Sequence, residues 1–205
     1  GMAYSVPTVV TEILRFQTVR ADVGRVNGRY FAETLSFGLD AAIALDTMDR
    51  RQKSGRAGTM LYLESAVDQL FHHLQVFSFK MDVLGAEPGC APHPEWDDAY
   101  LVAVQVGPTY GGHFRITPEA RLDDGLLDIC WATPELSPMR ALALLLRARG
   151  GKHTGSDHIH FRRASSLVLD FEEEPPAQMD GEPVRGMHFV IDCVPDALTV
   201  VVGQR

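Results

Sequence analysis

Three two-residue turn signals stand between short extended segments of this chain and constrain its fold more than any other feature. They are Asn27-Gly28, Asp124-Gly125 and Asp180-Gly181. Both residues of such a pair accept the positive φ angles that a tight hairpin turn requires. Because hairpins join antiparallel strands, the pattern predicts antiparallel sheets rather than a parallel sheet with crossover helices. We expect a β-rich α+β fold, an antiparallel β-sandwich with peripheral helices.

Helical patterns cover four segments. Residues 11–20, 38–51 and 59–73 place apolar side chains at helical spacing. The fourth helix is expected to begin at Ser137-Pro138, a capping residue followed by proline at the first helical position, and to end at Gly150-Gly151. Strands are predicted in a hairpin over 25–37 and then, around a proline-rich loop over 87–94, near 76–83, 100–106, 113–116, 126–131, 158–162, 166–171, 178, 184, 188–193 and 198–202.

Composition limits the classes of protein to which this chain can belong. It has 205 residues, of which 45% are hydrophobic and 22% charged, as is ordinary for a globular protein. The net charge of −8 argues against a nucleic-acid partner. Three scattered cysteines suit neither a disulfide framework nor a zinc motif and favour a reducing compartment. With no apolar run of about 20 residues and no signal peptide, we expect a cytoplasmic location.

The segment 121–128, Arg-Leu-Asp-Asp-Gly-Leu-Leu-Asp, has two compatible interpretations. One is a plain hairpin with an Asp-Gly turn. The other is a site for a hard cation, because aspartate carboxylates and the free carbonyls of a tight turn are ligands that Mg²⁺ and Ca²⁺ prefer. A turn exposes the carbonyls that such a cation needs.

Two other motifs allow a structural and a functional interpretation. Met179-Asp180-Gly181-Glu182 is either a hairpin turn or a turn that presents a carboxylate as a general base. Tyr110-Gly111-Gly112-His113 marks either an ordinary bend or a close backbone approach to a ligand. The pair His158 and His160 would share one face of a strand, but no third ligand is placed by the sequence, so we do not expect a zinc site.

Positive charge is concentrated between residues 138 and 169. Six basic residues face a single acid there, Asp157, whereas 170–182 carries six acids and no base. Such a patch is either a set of solvated faces or a surface that binds anionic lipid headgroups. The basic residues are Arg140, Arg147, Arg149, Lys152, Arg162 and Arg163.

Seven motifs occur in an order that resembles the C-terminal domain of the diacylglycerol kinase family, bacterial lipid kinases that are also similar to sphingosine and ceramide kinases. Each motif is short, and the order and spacing carry the resemblance, which covers roughly residues 8 to 202. The motifs are 22–31 (DVGRVNGRYF), 36–41 (SFGLDA), 107–112 (GPTYGG), 116–120 (ITPEA), 122–128 (LDDGLLD), 151–153 (GKH) and 180–182 (DGE).

The resemblance implies a β-sandwich on the lipid side of a two-domain kinase that transfers phosphate from ATP to a lipid hydroxyl such as that of diacylglycerol. Glu182 would be the catalytic base. Asp124 would bind Mg²⁺ through its side chain, and Arg121 and Leu126 through their main-chain carbonyls. The residues that would line the substrate cleft are Asp180, Gly111, Gly112 and Asp40.

The Gly-Gly-Asp-Gly-Thr nucleotide loop of that family does not occur in this sequence. We therefore expect residues 1–20 to be a linker helix from a domain junction and 21–205 to be the sandwich domain, incomplete and inactive alone because ATP is bound mainly by the other domain. Expected partners are a lipid and, peripherally, the anionic inner face of the membrane. The alternatives are a non-catalytic lipid-binding or regulatory module, or a domain that serves mainly in homo-oligomerisation.

Overall fold

The computed structural model describes residues 17–56, 58–86, 93–110 and 114–202. Within these residues the chain forms eleven strands and three helices. In chain order they are β1 (Gln17–Val26), β2 (Arg29–Phe31), β3 (Thr34–Gly38), α1 (Leu39–Ser54), α2 (Thr59–His72), β4 (Phe77–Ala86), β5 (His93–Ala99), β6 (Leu101–Gln105), β7 (Leu127–Ala132), α3 (Pro138–Ala148), β8 (Ile159–Phe171), β9 (Ala177–Met179), β10 (Glu182–Val184) and β11 (His188–Val202).

All of these strands belong to one antiparallel sheet. The main order is β10-β9-β3-β6-β7-β8-β11-β1-β2, and β4 pairs with both β8 and β5. Phe37 on β3 and Phe189 on β11 lie four strands apart in this order, a separation of about 19 Å in a flat sheet. Their ring centroids are only 4.7 Å apart. The sheet therefore curls until its two halves face each other, which confirms the predicted β-rich sandwich.

The space inside the curl is filled by aromatic and aliphatic side chains from nearly every strand. Phe37 also lies 4.9 Å from the ring of Phe171, and both belong to one continuous buried cluster. The helices lie on the outside, where α1 packs against α2 and α2 against α3. Segments close to the predicted 38–51, 59–73 and 137–150 are helical. Ser137 caps α3 by accepting a hydrogen bond from the Arg140 N–H.

Two of the three predicted hairpin turns are confirmed. Asn27 and Gly28 have φ of 46° and 83° and join β1 to β2, and Asp180 and Gly181, at 48° and 90°, join β9 to β10. Asp124-Gly125 also turns, with Gly125 at φ 71°, but it lies in a loop before β7 and joins no hairpin.

Several predicted boundaries are wrong, and long-range pairing is the reason. Residues 17–20, predicted as helix, belong to β1 because they pair with the end of β11, Val19 opposite Val200. Residues 1–16 lie outside the described part of the chain. The hairpin predicted over 25–37 ends at Phe31, since β3 pairs with β6 and β9 instead.

The strand predicted over 113–116 is reduced to a single bridge between Tyr110 and Phe114 in the described residues. The segments 158–162 and 166–171 are one strand, β8, and 188–193 and 198–202 are one strand, β11. Strand β5 was not predicted. No helix of the described residues combines the length and apolar character that crossing a bilayer requires.

Replacing Phe37 with alanine is expected to lower the free energy of unfolding by about 3–5 kcal/mol, because the ring is fully buried between the two halves of the sheet. Urea unfolding followed by circular dichroism measures this loss. Tyr30→Ala is the matched control: this ring is 60% exposed on β2, and its removal should cost less than about 1 kcal/mol. Equal losses would contradict the curled arrangement.

Candidate functional site

Motifs that are far apart in the sequence meet along one rim of the curled sheet. The Asp180 carboxylate accepts three backbone hydrogen bonds, from the N–H groups of Ala32 at 2.6 Å, Glu33 at 2.9 Å and Thr34 at 2.9 Å. The carbonyl of Glu33 then accepts from the Val106 N–H at 3.1 Å. These bonds bring the turn at 180–181, the turn at 31–34 and the loop after β6 together.

The neighbouring part of the rim is the loop before β7. The side chain of Leu122 lies so close to Gly107 that a Cβ there would come within 2.8 Å of it. The Thr117 hydroxyl donates to the Gly107 carbonyl at 3.1 Å. The structure therefore places the predicted 107–110, 116–120, 122–128 and 180–182 motifs on one continuous edge, whereas Gly111 and Gly112 lie outside the described residues.

Glu182 and Asp180 have different environments although they are two residues apart. Asp180 was expected to line the substrate cleft, and its carboxylate accepts the N–H groups of residues 32–34. Glu182 begins the edge strand β10 and is exposed. Among the described residues its carboxylate makes no hydrogen bond or ion pair, so it is free to contact a ligand.

An apolar cavity lies between the three helices and the sheet. Helix α1 contributes Leu39, Asp40 and Ile43, helix α2 contributes Leu70, and helix α3 covers the opposite side. The further lining residues are mostly aliphatic: Leu101, Ala103, Ile116, Cys130, Ala132, Leu136, Ala141, Leu144, Leu145, Ala148 and Ile159, with Tyr100 and His153. Its volume is about 70 Å³, and its lining has very few polar groups, so it suits a small apolar group better than a charged one.

Asp40 is the acidic group of this cavity. It is buried, and desolvation raises the pKa of its carboxyl to about 6, against a smaller lowering by a hydrogen bond with Ser36. Its Oδ2 atom has no hydrogen-bond partner in the described part of the chain. A buried acceptor without a partner is costly, and a ligand with a hydroxyl or ammonium group would satisfy it.

A relay of buried side chains connects Asp40 to the turn that precedes Glu182. The Gly181 N–H donates to the Gln178 Oε1 at 2.7 Å, and the Gln178 Nε2 donates to the Ser36 Oγ at 2.7 Å. Ser36 in turn hydrogen-bonds to Asp40. A continuous chain of hydrogen bonds therefore connects Asp40, in the cavity, to Gly181, on the rim.

One further polar side chain lines the cavity, His153, and another, Tyr62, lies in a neighbouring cleft. His153 donates from Nε2 to the Ile116 carbonyl at 2.9 Å, so its buried Nδ1 is an acceptor, and burial lowers the pKa of the ring. Tyr62 lies in a wider cleft with Thr34, Asp180 and Gly181. Burial and then the charge of Asp40 raise the pKa of its phenol well above the usual value. The charge of Asp40, which lines the cavity, acts on the phenol of Tyr62, which lines the cleft, so the cavity and the cleft adjoin at this point.

The Asp124 loop is held in place by Asp22. The Asp22 N–H donates to the Leu122 carbonyl at 2.7 Å, and its carboxylate accepts from the Gly125 N–H at 2.7 Å and the Asp196 N–H at 2.9 Å. The Asp124 carboxylate accepts from the Leu126 N–H at 3.1 Å and pairs with the guanidinium of Arg163. In the described residues no three histidine, cysteine or acidic side chains cluster as a metal site.

Comparison with known proteins first supports the fold. A crystal structure from Bacillus anthracis str. Sterne superimposes with a TM-score of 0.69 at 21% identity, covering 95% of this chain and 61% of that one. A diacylglycerol kinase from the same strain gives a TM-score of 0.60 at 18% identity, covering 94% of this chain and 56% of that one. At these identities the likeness concerns architecture alone.

The sequence profile of one family, the YegS C-terminal NAD kinase beta sandwich-like domain, matches residues 33–202. This chain belongs to that family. It is 25% identical over 207 residues to the "Probable lipid kinase YegS-like" protein of Serratia proteamaculans, covering 97% of this chain and 62% of that protein. The protein of the same name from Pectobacterium atrosepticum is 28% identical over 196 residues, covering 92% and 58%. The chain thus spans about three-fifths of these relatives, and its membership of a lipid kinase family confirms the resemblance.

Three residues of this YegS-type domain hold the site together in ways that the sequence did not predict: Asp22 and Gln178 had no assigned role, and Arg163 was assigned to the basic patch. The partners of Asp22 lie 103 and 174 residues away, and Arg163 is 39 residues from Asp124. Contacts between residues so far apart cannot be predicted from the pattern of neighbouring residues. The register of the β7–β8 pair, which sets Arg163 opposite Asp128, is the kind of information that would have revealed the last of them.

Asp40→Asn is expected to remove a pH dependence of stability. Because the folded pKa is raised from 3.8 to about 6, the folded state binds the proton more tightly than the unfolded state, and wild-type stability falls as pH rises from about 4 to 6. The variant should match wild type near pH 4 and exceed it by about 2–3 kcal/mol at pH 7. Urea unfolding across this range measures the difference, and parallel curves would contradict the assignment.

Proposed function

We propose that this chain is the lipid-side domain of an ATP-dependent kinase that phosphorylates a lipid hydroxyl, with diacylglycerol as the model substrate. The observation that carries the proposal is the apolar cavity with Asp40 at one end, joined by the Gln178–Ser36 relay to the turn that bears Glu182. Family membership supports the class of reaction. A part of the lipid's chain would occupy the cavity, and its polar end would lie toward Asp40 and the cleft.

In the proposed reaction the hydroxyl oxygen of the lipid attacks the γ-phosphorus of ATP, ADP leaves, and Glu182 accepts the hydroxyl proton. Phosphoryl transfer depends mainly on positioning and neutralisation of charge, so a base on a fixed turn is a suitable contribution from this domain. Asp180 serves as a positioning residue, because its three backbone hydrogen bonds fix the turn on which Glu182 stands. The nucleotide itself would be bound mainly by a second domain, and the chain alone is proposed to be inactive.

The position proposed for Mg²⁺ is the Asp124 loop, with the side chain of Asp124 and the main-chain carbonyls of Arg121 and Leu126 as ligands. The donor set is chemically suitable, because carboxylate and carbonyl oxygens are what hard cations take. The carboxylate of Asp124 is paired with the guanidinium of Arg163, and Mg²⁺ bound there would take the place of that positive charge. When bound there, Mg²⁺ would supply charge neutralisation and rigidity to the rim.

Glu182→Gln is expected to lower the rate of lipid phosphorylation by about 10²–10⁴, the usual contribution of a well-placed base. The assay uses the protein expressed from its complete coding region, ATP and a panel of lipids in mixed micelles. Glu172→Gln, an exposed acid before the β9–β10 hairpin, is the control and should retain full activity. Unchanged activity in Glu182→Gln would refute its role, and no activity on any lipid would favour a non-catalytic lipid-binding module.

We also propose that helices α2 and α3 face an anionic membrane. Both helices line the cavity, and both expose apolar side chains on their outer surfaces: Met60, Val67 and Phe71 on α2, and Met139 and Leu146 on α3. Exposed basic residues adjoin α3: Arg140, Arg147, Arg149 and Lys152. Arg163, which the sequence grouped with this patch, pairs with Asp124 instead. Exposed apolar and basic residues on the helices that cover the cavity suit contact with an anionic bilayer that holds the lipid.

The double variant Arg140→Glu/Arg147→Glu is expected to weaken binding to vesicles that contain phosphatidylglycerol by about 30-fold or more, since each arginine near an anionic surface contributes about 1 kcal/mol. Co-sedimentation at fixed ionic strength measures this. Arg29→Glu, an exposed reversal on β2, should leave binding within about two-fold of wild type. Unaltered binding of the double variant would exclude this surface.

A further inference from the structure

The strand register places a fixed positive charge beside the loop that was assigned to a divalent cation. Strands β7 and β8 pair with Asp128 directly opposite Arg163. The Nε atom of Arg163 lies 3.4 Å from the Asp128 Oδ1, and its Nη2 contacts the Asp124 Oδ2. All three side chains are largely shielded from solvent, with 9–29% of their surface exposed. The guanidinium therefore bridges two carboxylates from a backbone position that the sheet determines.

Negative charge prevails around this guanidinium. Asp22 accepts the Gly125 N–H at the back of the loop and is buried. The fields of Asp22 and Asp124 both reach Cys193, where they add to burial in raising the pKa of the thiol to about 12. Three carboxylates, those of Asp22, Asp124 and Asp128, thus surround the loop, and Arg163 supplies positive charge among them. Arg121 on the loop itself pairs outward with Asp123.

We propose that Arg163 is an internal competitor for the cation position at Asp124: its guanidinium neutralises the loop in the metal-free protein, and a divalent cation binds only by displacing it toward Asp128. Mg²⁺ bound at the Asp124 Oδ2 atom would stand within a few Å of the Arg163 guanidinium, and the repulsion between the two positive charges in this largely shielded place disfavours their joint presence. The loop is consequently ordered without metal, and its affinity for Mg²⁺ is lowered by the free energy needed to break the ion pair.

The inference rests on the cation position assigned under the proposed function, but its test contains neither ATP nor lipid. Failure of the kinase assay and failure of this inference are therefore distinguishable. The experiment measures the thermal unfolding temperature in EDTA and in increasing MgCl₂, with KCl added to keep ionic strength constant. The variants are Arg163→Gln, Arg162→Gln and Asp124→Asn/Arg163→Gln.

Wild type is expected to show no change in unfolding temperature up to about 10 mM MgCl₂. Arg163→Gln should unfold at a lower temperature in EDTA, because a partly buried carboxylate loses its partner, and should regain stability as Mg²⁺ binds the folded state. Its half-saturating Mg²⁺ concentration should be about 1 mM or lower, at least about 10-fold below the highest concentration at which wild type shows no response. Arg162→Gln, the adjacent residue that points to the other face of β8, should gain no response, and the double variant should lose it.

Two results would overturn the proposal. One is a wild-type protein that is stabilised by submillimolar Mg²⁺ through Asp124, which would make the metal the resident cation. The other is a Mg²⁺ response that is the same in Arg163→Gln and wild type, including none in either. If Arg163→Gln fails to fold, Arg163→Lys replaces it: the ammonium cannot bridge two carboxylates as a planar guanidinium does, so a smaller gain in Mg²⁺ response is expected, and no gain counts against the proposal.

Discussion

Carboxylates that accept backbone N–H groups connect the segments of the rim on which the candidate site lies. A turn or loop leaves N–H groups without strand partners, and leaving them unsatisfied is costly. Asp180 satisfies three of them at residues 32–34, and Asp22 satisfies two, at Gly125 and Asp196. Asp180 reinforces the junction of β3 and β9 at the turn before Glu182, and Asp22 ties the Gly125 loop to the irregularity in the β1–β11 pairing. The placement of Glu182 and of the Asp124 loop depends on these two side chains.

In the cavity, by contrast, a buried carboxylate is left with an oxygen atom that no described residue satisfies. Asp40 has one hydrogen-bonding neighbour, Ser36, and an Oδ2 atom left without a partner in the described residues. Together with the Nδ1 atom of His153 it places acceptors in a wall that is otherwise aliphatic. A domain that is selected only for stability would replace such groups by apolar ones. Their presence is consistent with a ligand that brings hydrogen-bond donors into an apolar space.

The sequence predicted those parts of the structure that depend on neighbouring residues. The Asn27-Gly28 and Asp180-Gly181 turns and the Ser137 cap follow from local backbone chemistry, and all three are present. The ordered motifs indicated the family. Pairing between distant strands could not be predicted from neighbouring residues. It makes residues 17–20 part of a strand, pairs β3 with β6 and β9 instead of within the predicted hairpin, and places Arg163 next to Asp124. The relay from Gln178 through Ser36 to Asp40 was equally out of reach, because it required the two paired strands β9 and β3 and the helix α1 in known positions.

The long pairing of β1 with β11 also determines the order in which the structure can assemble. Gln17 lies opposite Val202 and Val26 opposite Ile191, so these contacts close loops of more than 160 residues. Closing loops of that size is entropically unfavourable until intervening contacts have shortened them. On a ribosome, β7, β8 and the helix α3 between them emerge before β11 does. The hydrogen bond from the Asp196 N–H to Asp22 can form only after β11 has emerged, so the support that Asp22 gives to the Asp124 loop is completed late.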